Sequence, residues 1–254
     1  VNKKHIARSF GKASSTYESE APVQKWTANY LSSYIDGLGI NHPARCLEIG
    51  CGTGFLTQLM LAQYPKADWV ITDLSDKMLQ QCQALNGEGP SYYVMDGENP
   101  DVEGGFDLIV SSLAFQWFHD FEASCQKLVS LLNPNGRLVF TTLGQSTFQQ
   151  WRDNLEKLDM PAGIHLYPAL EKIQQLELTN CDYTFKNEIR TQYYETGLTF
   201  LRALKAIGAQ APQKGYRPLN GGEMRKVLKS LEASGDCSMT YEIIIGDIKK
   251  TGNS

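Results

Sequence analysis

Five short apolar runs, most of them separated by helical patterns, fill residues 45–142 and leave very few folds open. Arg45-Cys-Leu-Glu-Ile49, Asp68-Trp-Val-Ile-Thr-Asp73, Ser91-Tyr-Tyr-Val-Met95, Phe106-Asp-Leu-Ile-Val-Ser111 and Arg137-Leu-Val-Phe-Thr-Thr142 have the length and β-branched content of buried strands. The intervening spacing predicts helices over 55–64, stopped by Pro65, over 76–85, capped by Ser75, and over 121–132, ended by Asn133-Pro-Asn-Gly136. Strands that alternate with helices in this way require crossover connections, hence a parallel sheet buried on both faces. Ligands of such sheets sit at the carboxyl ends of the strands.

The flanking segments read differently. Pro22 suits the first turn of a helix that runs to Leu38, where Gly37 and Gly39 end it. After Gly144, helices are expected over 148–158 and 169–176, then a strand over 180–189. Two further helices follow, 198–207 and 222–231, and a last strand over 239–248. Residues 196–233 therefore read as a helical cap inserted between two late strands. The 254 residues suit a single α/β domain.

Composition removes several function classes. A net charge of −4 disfavours a general nucleic-acid binder. No apolar run approaches the roughly 20 residues that a membrane span needs. The start, Val1-Asn-Lys-Lys-His-Ile-Ala-Arg-Ser-Phe10, reads as an amphipathic helix and not a signal peptide. Cys46, Cys51, Cys82, Cys125, Cys181 and Cys237 form no C-x-x-C pair, and most read as small buried hydrophobes in a reduced, cytoplasmic compartment. His5, His42, His119 and His165 make no metal-ligand spacing, so no metal is expected.

The turn after the first strand, Glu48-Ile-Gly50-Cys51-Gly52-Thr-Gly54, carries the chemistry. Glycines there let the backbone approach a ligand and aim free helix amides at it. A dinucleotide fingerprint needs a small residue five positions after the first glycine, and Phe55 stands there. Acidic residues close the next two strands. Asp73 lies where a carboxylate accepts ribose hydroxyls, and Asp96 where one accepts from an adenine amine. Taken singly, each is an ordinary loop acid; the ordered series points to an adenosine-bearing cofactor.

On Glu48–Gly54, Asp73 and Asp96-Gly97 the sequence resembles the class I methyltransferases that use S-adenosylmethionine (SAM) and release S-adenosylhomocysteine. That resemblance implies a Rossmann-like fold, with a mostly parallel seven-stranded sheet, helices on both faces and the helical cap. It places Glu48, Gly50, Cys51, Gly52 and Gly54 near the methionine portion, Asp73 at the ribose, and Leu74, Met78, Asp96, Gly97 and Ser111 among the remaining cofactor contacts.

The segment after the fourth strand, Ser111-Ser-Leu-Ala-Phe-Gln-Trp117, lacks the Pro-Pro-aromatic turn of many amino-methylating enzymes. A carboxylate acceptor fits it better, because a carboxyl group with a pKa of about 4 is already ionised at neutral pH and needs no base. Gln116 and Trp117 are donors suited to positioning such an oxygen.

Over residues 3–248 the chain is similar to the malonyl-[acyl-carrier protein] O-methyltransferases of early biotin synthesis. Lys3/Lys4, Phe10-Gly11, Tyr17, Ser112–Trp117, Phe140–Leu143 and Leu204–Ala209 carry that likeness. It implies methylation of the free malonyl carboxylate on a carrier-protein thioester, or on malonyl-CoA, with residues 1–38 as a helical lid in which Tyr17 closes the site. Independently, residues 197–231 hold seven basic side chains against Glu223 alone. Arg202, Lys205, Arg225, Lys226 and Lys229 in that stretch suit an acidic carrier partner. A carboxyl methyltransferase of the trans-aconitate type and a non-catalytic SAM-binding module are the alternatives.

Overall fold

The structure, a computed structural model, describes residues 3, 22–206, 216–233, 235 and 237–252. Helix α1 (Pro22–Gly37) buries Val23, Thr27, Ala28, Leu31 and Ile35, an i, i+4, i+8 stripe. The chain then runs through β1 (Arg45–Ile49), α2 (Phe55–Gln63), β2 (Asp68–Asp73), α3 (Asp76–Asn86), β3 (Ser91–Val94) and β4 (Phe106–Ser112). A 3₁₀ turn (Phe115–Trp117) precedes α4 (Phe121–Ser130), β5 (Leu132–Leu143), α5 (Gln149–Lys157) and α6 (Leu170–Gln174). The remainder is β6 (Cys181–Tyr193), α7 (Gly197–Ala206), α8 (Gly221–Ala233) and β7 (Ser238–Lys250).

These strands form one seven-stranded sheet in the order β3-β2-β1-β4-β5-β7-β6. β1 to β5 pair in parallel, while β7 runs antiparallel between β5 and β6. From β1 the chain winds outward to β2 and β3, then returns to place β4 on the other side of β1. That reversal opens a crevice at the carboxyl ends of β1 and β4, where side chains from both windings converge.

Alternate residues of the strands feed opposite faces. Leu47, Ile49 and Ile109 join Phe115, Leu128, Phe140 and Phe185 in one core. Cys46, Ile71, Leu108 and Val110 pack under α1, α2 and α3 in the other. A third cluster unites Trp151 and Leu155 of α5 with Phe200, Leu204, Val227 and Leu231 of α7 and α8, so the helices between β6 and β7 are packed and not splayed. No helix of the described residues is long and apolar enough to cross a membrane.

Two boundaries depart from the sequence reading. Asn133-Pro-Asn-Gly136 does not end a helix; it lies inside β5, and α4 stops at Ser130. Phe106 pairs with Leu132 and Leu108 with Arg137, so the extra residues form a bulge with Asn135 at φ +66°. β6 also runs on past Ile189 to Tyr193, because β7 supplies a partner for every residue up to Ser238.

Candidate active site

The crevice is a cleft open to solvent at the carboxyl ends of β1 and β4, where small-molecule sites of such sheets lie. One wall is the turn after β1. Gly50 has φ +70°, and a Cβ there would lie 2.7 Å from the Ala114 Cβ, so only glycine lets the β1 and β4 turns meet. The Cys51 amide donates to Thr72 O at 2.9 Å and ties the loop to β2. Thr53, 2 % exposed, places its Oγ1 at this wall, where it has no hydrogen-bond partner among the described residues.

Three carboxylates face the cleft in different states. Glu48 is 1 % exposed and accepts from Thr57 Oγ1 at 2.7 Å. Burial, reinforced by nearby Cys82 and Asp73, pushes its pKa well up, against the Thr57 bond. Asp73 accepts the Gly52 amide at 2.9 Å through Oδ2 and the Ser75 amide at 2.7 Å through Oδ1. Burial raises its pKa, and those amides with that of Leu74 oppose the rise. Asp96 accepts from Lys3 Nζ at 2.6 and 2.8 Å, from the Glu98 amide at 3.1 Å and from Asn99 at 3.2 Å. Burial would raise its pKa, but the Lys3 ammonium and these donors bring it below the usual value.

Glu98, just behind, bonds Lys3, the His119 amide at 2.6 Å and the Asp120 amide at 2.8 Å. Burial opposes ionisation there as well, yet Lys3 and the two amides outweigh it and hold the carboxyl down at about 2. Lys3 thus neutralises two acids at the cleft's edge.

The far end is apolar. Leu74, Met78, Met95 and Phe118 line it beside Gly97, whose missing Cβ would collide with Ile49 and Phe118. The side next to β4 is formed by Ser112, Leu113, Ala114 and Trp117.

The structure gathers Glu48, Gly50, Cys51, Gly52, Asp73, Leu74, Met78, Asp96, Gly97 and Trp117 around one cavity. Three expected residues lie elsewhere. Gly54 packs the start of α2 against Cys82 and Asn86 instead of lining the cleft. Ser111 is buried, its Oγ donating to Ile49 O at 2.7 Å; the next residue along the strand, Ser112, faces the cleft in its place. Gln116 is turned into the fold, with Nε2 donating to Leu113 O at 2.5 Å and Oε1 buried without a partner among the described residues. Its amide is therefore spent on the turn and not directed at an acceptor. Tyr17 lies outside the described residues. Arg202, Lys205, Arg225, Lys226 and Lys229 are all exposed on α7 and α8, and Arg202 faces solvent and not the cleft.

Gln24 and Ala28 of α1 and Thr53 were not singled out from the sequence, and Lys3 only as part of the N-terminal likeness, yet all four line the cavity. Only Thr53, inside the glycine turn, carried a local signal.

Comparison with known proteins agrees with this geometry. Residues 47–140 match the family model described as a methyltransferase domain. The chain is 38% identical over 246 residues to the biotin biosynthesis bifunctional protein BioCD of Bordetella avium, covering 96% of this chain and 52% of that protein, about half its length. It is 35% identical over 245 residues to the malonyl-[acyl-carrier protein] O-methyltransferase of Magnetococcus marinus, covering 95% of this chain and 90% of the relative. Among solved structures, the YcgJ protein of Bacillus subtilis superimposes with a TM-score of 0.61 at 16% identity, covering 88% of this chain and 98% of that one. The plantazolicin methyltransferase BpumL, crystallised with S-adenosylhomocysteine, superimposes at 0.55 and 20% identity, covering 98% and 95%. At these identities the two structures speak for the fold.

Proposed function

This chain belongs to the malonyl-[acyl-carrier protein] O-methyltransferases, and we propose that its cleft joins a SAM site to an acceptor site for the free carboxylate of a malonyl thioester. It is a SAM-dependent O-methyltransferase of biotin synthesis. The observation that carries the site assignment is the meeting of the glycine turn, Glu48, Asp73, Asp96 and Trp117 around a single cavity.

The residues present fit the cofactor. Asp73 keeps acceptor capacity beyond its bonds to the Gly52 and Ser75 amides and suits a ribose diol. Leu74, Met78, Met95 and Phe118 give an adenine a dry slot, and the missing side chain of Gly97 leaves room for it. Thr53 Oγ1, buried and unpaired among the described residues, and the amides at the start of α2 suit the charged methionine end. When bound, SAM supplies an electrophilic methyl group carried on a sulfonium.

The protein's part in the transfer is placement. A malonyl carboxylate with a pKa of about 4 arrives ionised, so no side chain has to take a proton. Trp117, Leu113 and Ala114 form the wall that holds the acceptor oxygen in line, which converts an encounter into an oriented reaction. Tyr17 is our proposed lid residue, to be tested by deleting residues 1–18, which should loosen SAM retention without unfolding the protein. The exposed Arg202, Lys205, Arg225, Lys226 and Lys229 suit the acidic surface of a carrier protein.

Incubation with methyl-labelled SAM and separate pools of malonyl-carrier protein, malonyl-CoA, malonate and trans-aconitate tests the reading. Label is expected as a base-labile ester on the malonyl thioesters, with the carrier form preferred. Label confined to the free dicarboxylates would overturn it.

A further inference from the structure

We propose that His165, in the segment between α5 and α6, is a positioning residue that locks the acceptor turn Phe115–Trp117, so that Trp117 meets the substrate in one orientation. The proposal rests on the reading of Trp117 as part of the acceptor wall.

The turn needs an external lock. It is a single 3₁₀ turn of three residues, too short to hold itself. It follows Leu113, a residue with a branched side chain at φ +53°, in the left-handed region that such residues avoid. Strain of this kind persists only where neighbouring groups over-determine it. Two bonds fix the entry: the Leu113 amide donates to Thr141 O at 3.1 Å, and Gln116 Nε2 donates to Leu113 O at 2.5 Å. Phe115 is anchored too, stacked on Phe140 with centroids 4.0 Å apart. These contacts hold the inner side of the turn.

His165 holds the outer side. Burial pushes the His165 pKa down, and the nearby Gln116 backbone opposes that shift, so the ring sits close to the turn's own chain. The same ring lies against the Trp117 indole, with centroids 5.6 Å apart and planes 34° from parallel. Behind it, Tyr167, 8 % exposed, meets the His165 ring edge-on at 5.3 Å and supports it from within the third core. Burial favours the uncharged imidazole, which still carries one N–H to offer the turn. One side chain, itself held by Tyr167, thus lies beside the Gln116 backbone and braces the aromatic ring that lines the cleft.

Placement errors of about 1 Å cost on the order of a hundredfold in rate. His165→Ala is accordingly expected to lower kcat with malonyl-carrier protein by about tenfold to a hundredfold, while the Kd for SAM stays within about twofold. His165→Asn and His165→Gln each present a donor N–H at the reach of one ring nitrogen. One of the two should recover most of the lost kcat and thereby identify which nitrogen faces the turn. Trp117→Phe is measured alongside. Unchanged kinetics in His165→Ala beside a damaged Trp117→Phe would overturn the proposal and leave the acceptor reading intact. Unchanged kinetics in both would overturn the acceptor reading and the proposal with it. A parallel fall in melting temperature, SAM binding and kcat, with no rescue by Asn or Gln, would reduce His165 to a packing residue and overturn the proposal as well.

Discussion

The Asp73 carboxylate at the end of β2 accepts the Gly52 amide at 2.9 Å, so the group suited to a ribose also fixes the glycine turn after β1. In the proposed site, one side chain would thereby serve two parts of the cofactor's surroundings. Asp73→Ala is expected to weaken SAM and S-adenosylhomocysteine alike, by about 1.5–3 kcal/mol for lost charge-assisted bonds, and to loosen the turn in the ligand-free protein. Titration calorimetry measures the first effect and amide exchange at 50–54 the second. A turn that exchanges at the wild-type rate would mean Gly52 is held by other contacts.

Glu48 gives a test with the opposite sign. Its pKa is raised by burial, so the folded state holds the proton more tightly than the unfolded chain. The ionised form therefore costs stability, increasingly so as pH climbs above its ordinary value of 4.5. Glu48→Gln removes that cost and keeps an acceptor for Thr57. Denaturant titrations should show a ligand-free variant more stable than wild type at pH 8, with little difference at pH 4.5.

The acids beside Lys3 behave in the reverse manner. Glu98 is held near 2, below its ordinary 4.5, so its contribution is present above pH 4.5 and disappears as pH falls toward 2. Wild type should lose stability across that acid window more steeply than Glu98→Gln does. Parallel acid-denaturation curves for the two proteins would show that the contacts to Lys3, His119 and Asp120 are energetically silent.

Gly97 offers a steric test. A methyl group at this position would collide with Ile49 and Phe118, at the apolar end of the cleft. Gly97→Ala should raise the SAM dissociation constant about tenfold while leaving the overall fold intact, because the obstruction falls in the slot suited to the adenine ring. Circular dichroism checks the fold and calorimetry the affinity.

The exposed cations of α8 are expected to act on encounter. Lys226→Glu with Lys229→Glu should slow association with malonyl-carrier protein and weaken its dependence on salt, since exposed charges are screened beyond about 8–10 Å at physiological ionic strength. Stopped-flow rates at two salt concentrations decide this. Rates that ignore both salt and the double reversal would make this a solvated face with no partner.

How much of the site was readable from sequence depended on whether the signal was local. The glycine turn and the acids closing β2 and β3 could be found because each stands at a fixed offset from an apolar run. Ser111 and Ser112 could not be told apart, since adjacent strand residues point to opposite faces and only the register with β1 and β5 decides which face is the cleft. The Gln116 amide looked available because its partner, Leu113 O, depends on a left-handed residue that sequence patterns do not reveal. Lys3 belonged to the N-terminal likeness, but its partner Asp96 is 93 positions away and nothing local pairs the two, while Gln24 belongs to a helix read only for its buried stripe. His165 lacked metal-ligand spacing, and its contact with Trp117 exists only once the segment between α5 and α6 has folded over the turn.

β7 enters the sheet between β5 and β6, and Ser238 is the register partner of Tyr193, so the chain departs from the sheet and rejoins it at facing positions. Residues 194–237 are therefore, in topological terms, an enlarged hairpin loop. A chain that closed the same two strands with a tight turn would keep every strand pairing and the described walls of the cleft, because among the described residues none of its lining comes from this stretch. Only the α7–α8 side of the third core would need a new cover. With the partner role proposed for the cations of α7 and α8, exchange of this one loop would change what the protein docks to while the described cleft stayed as it was.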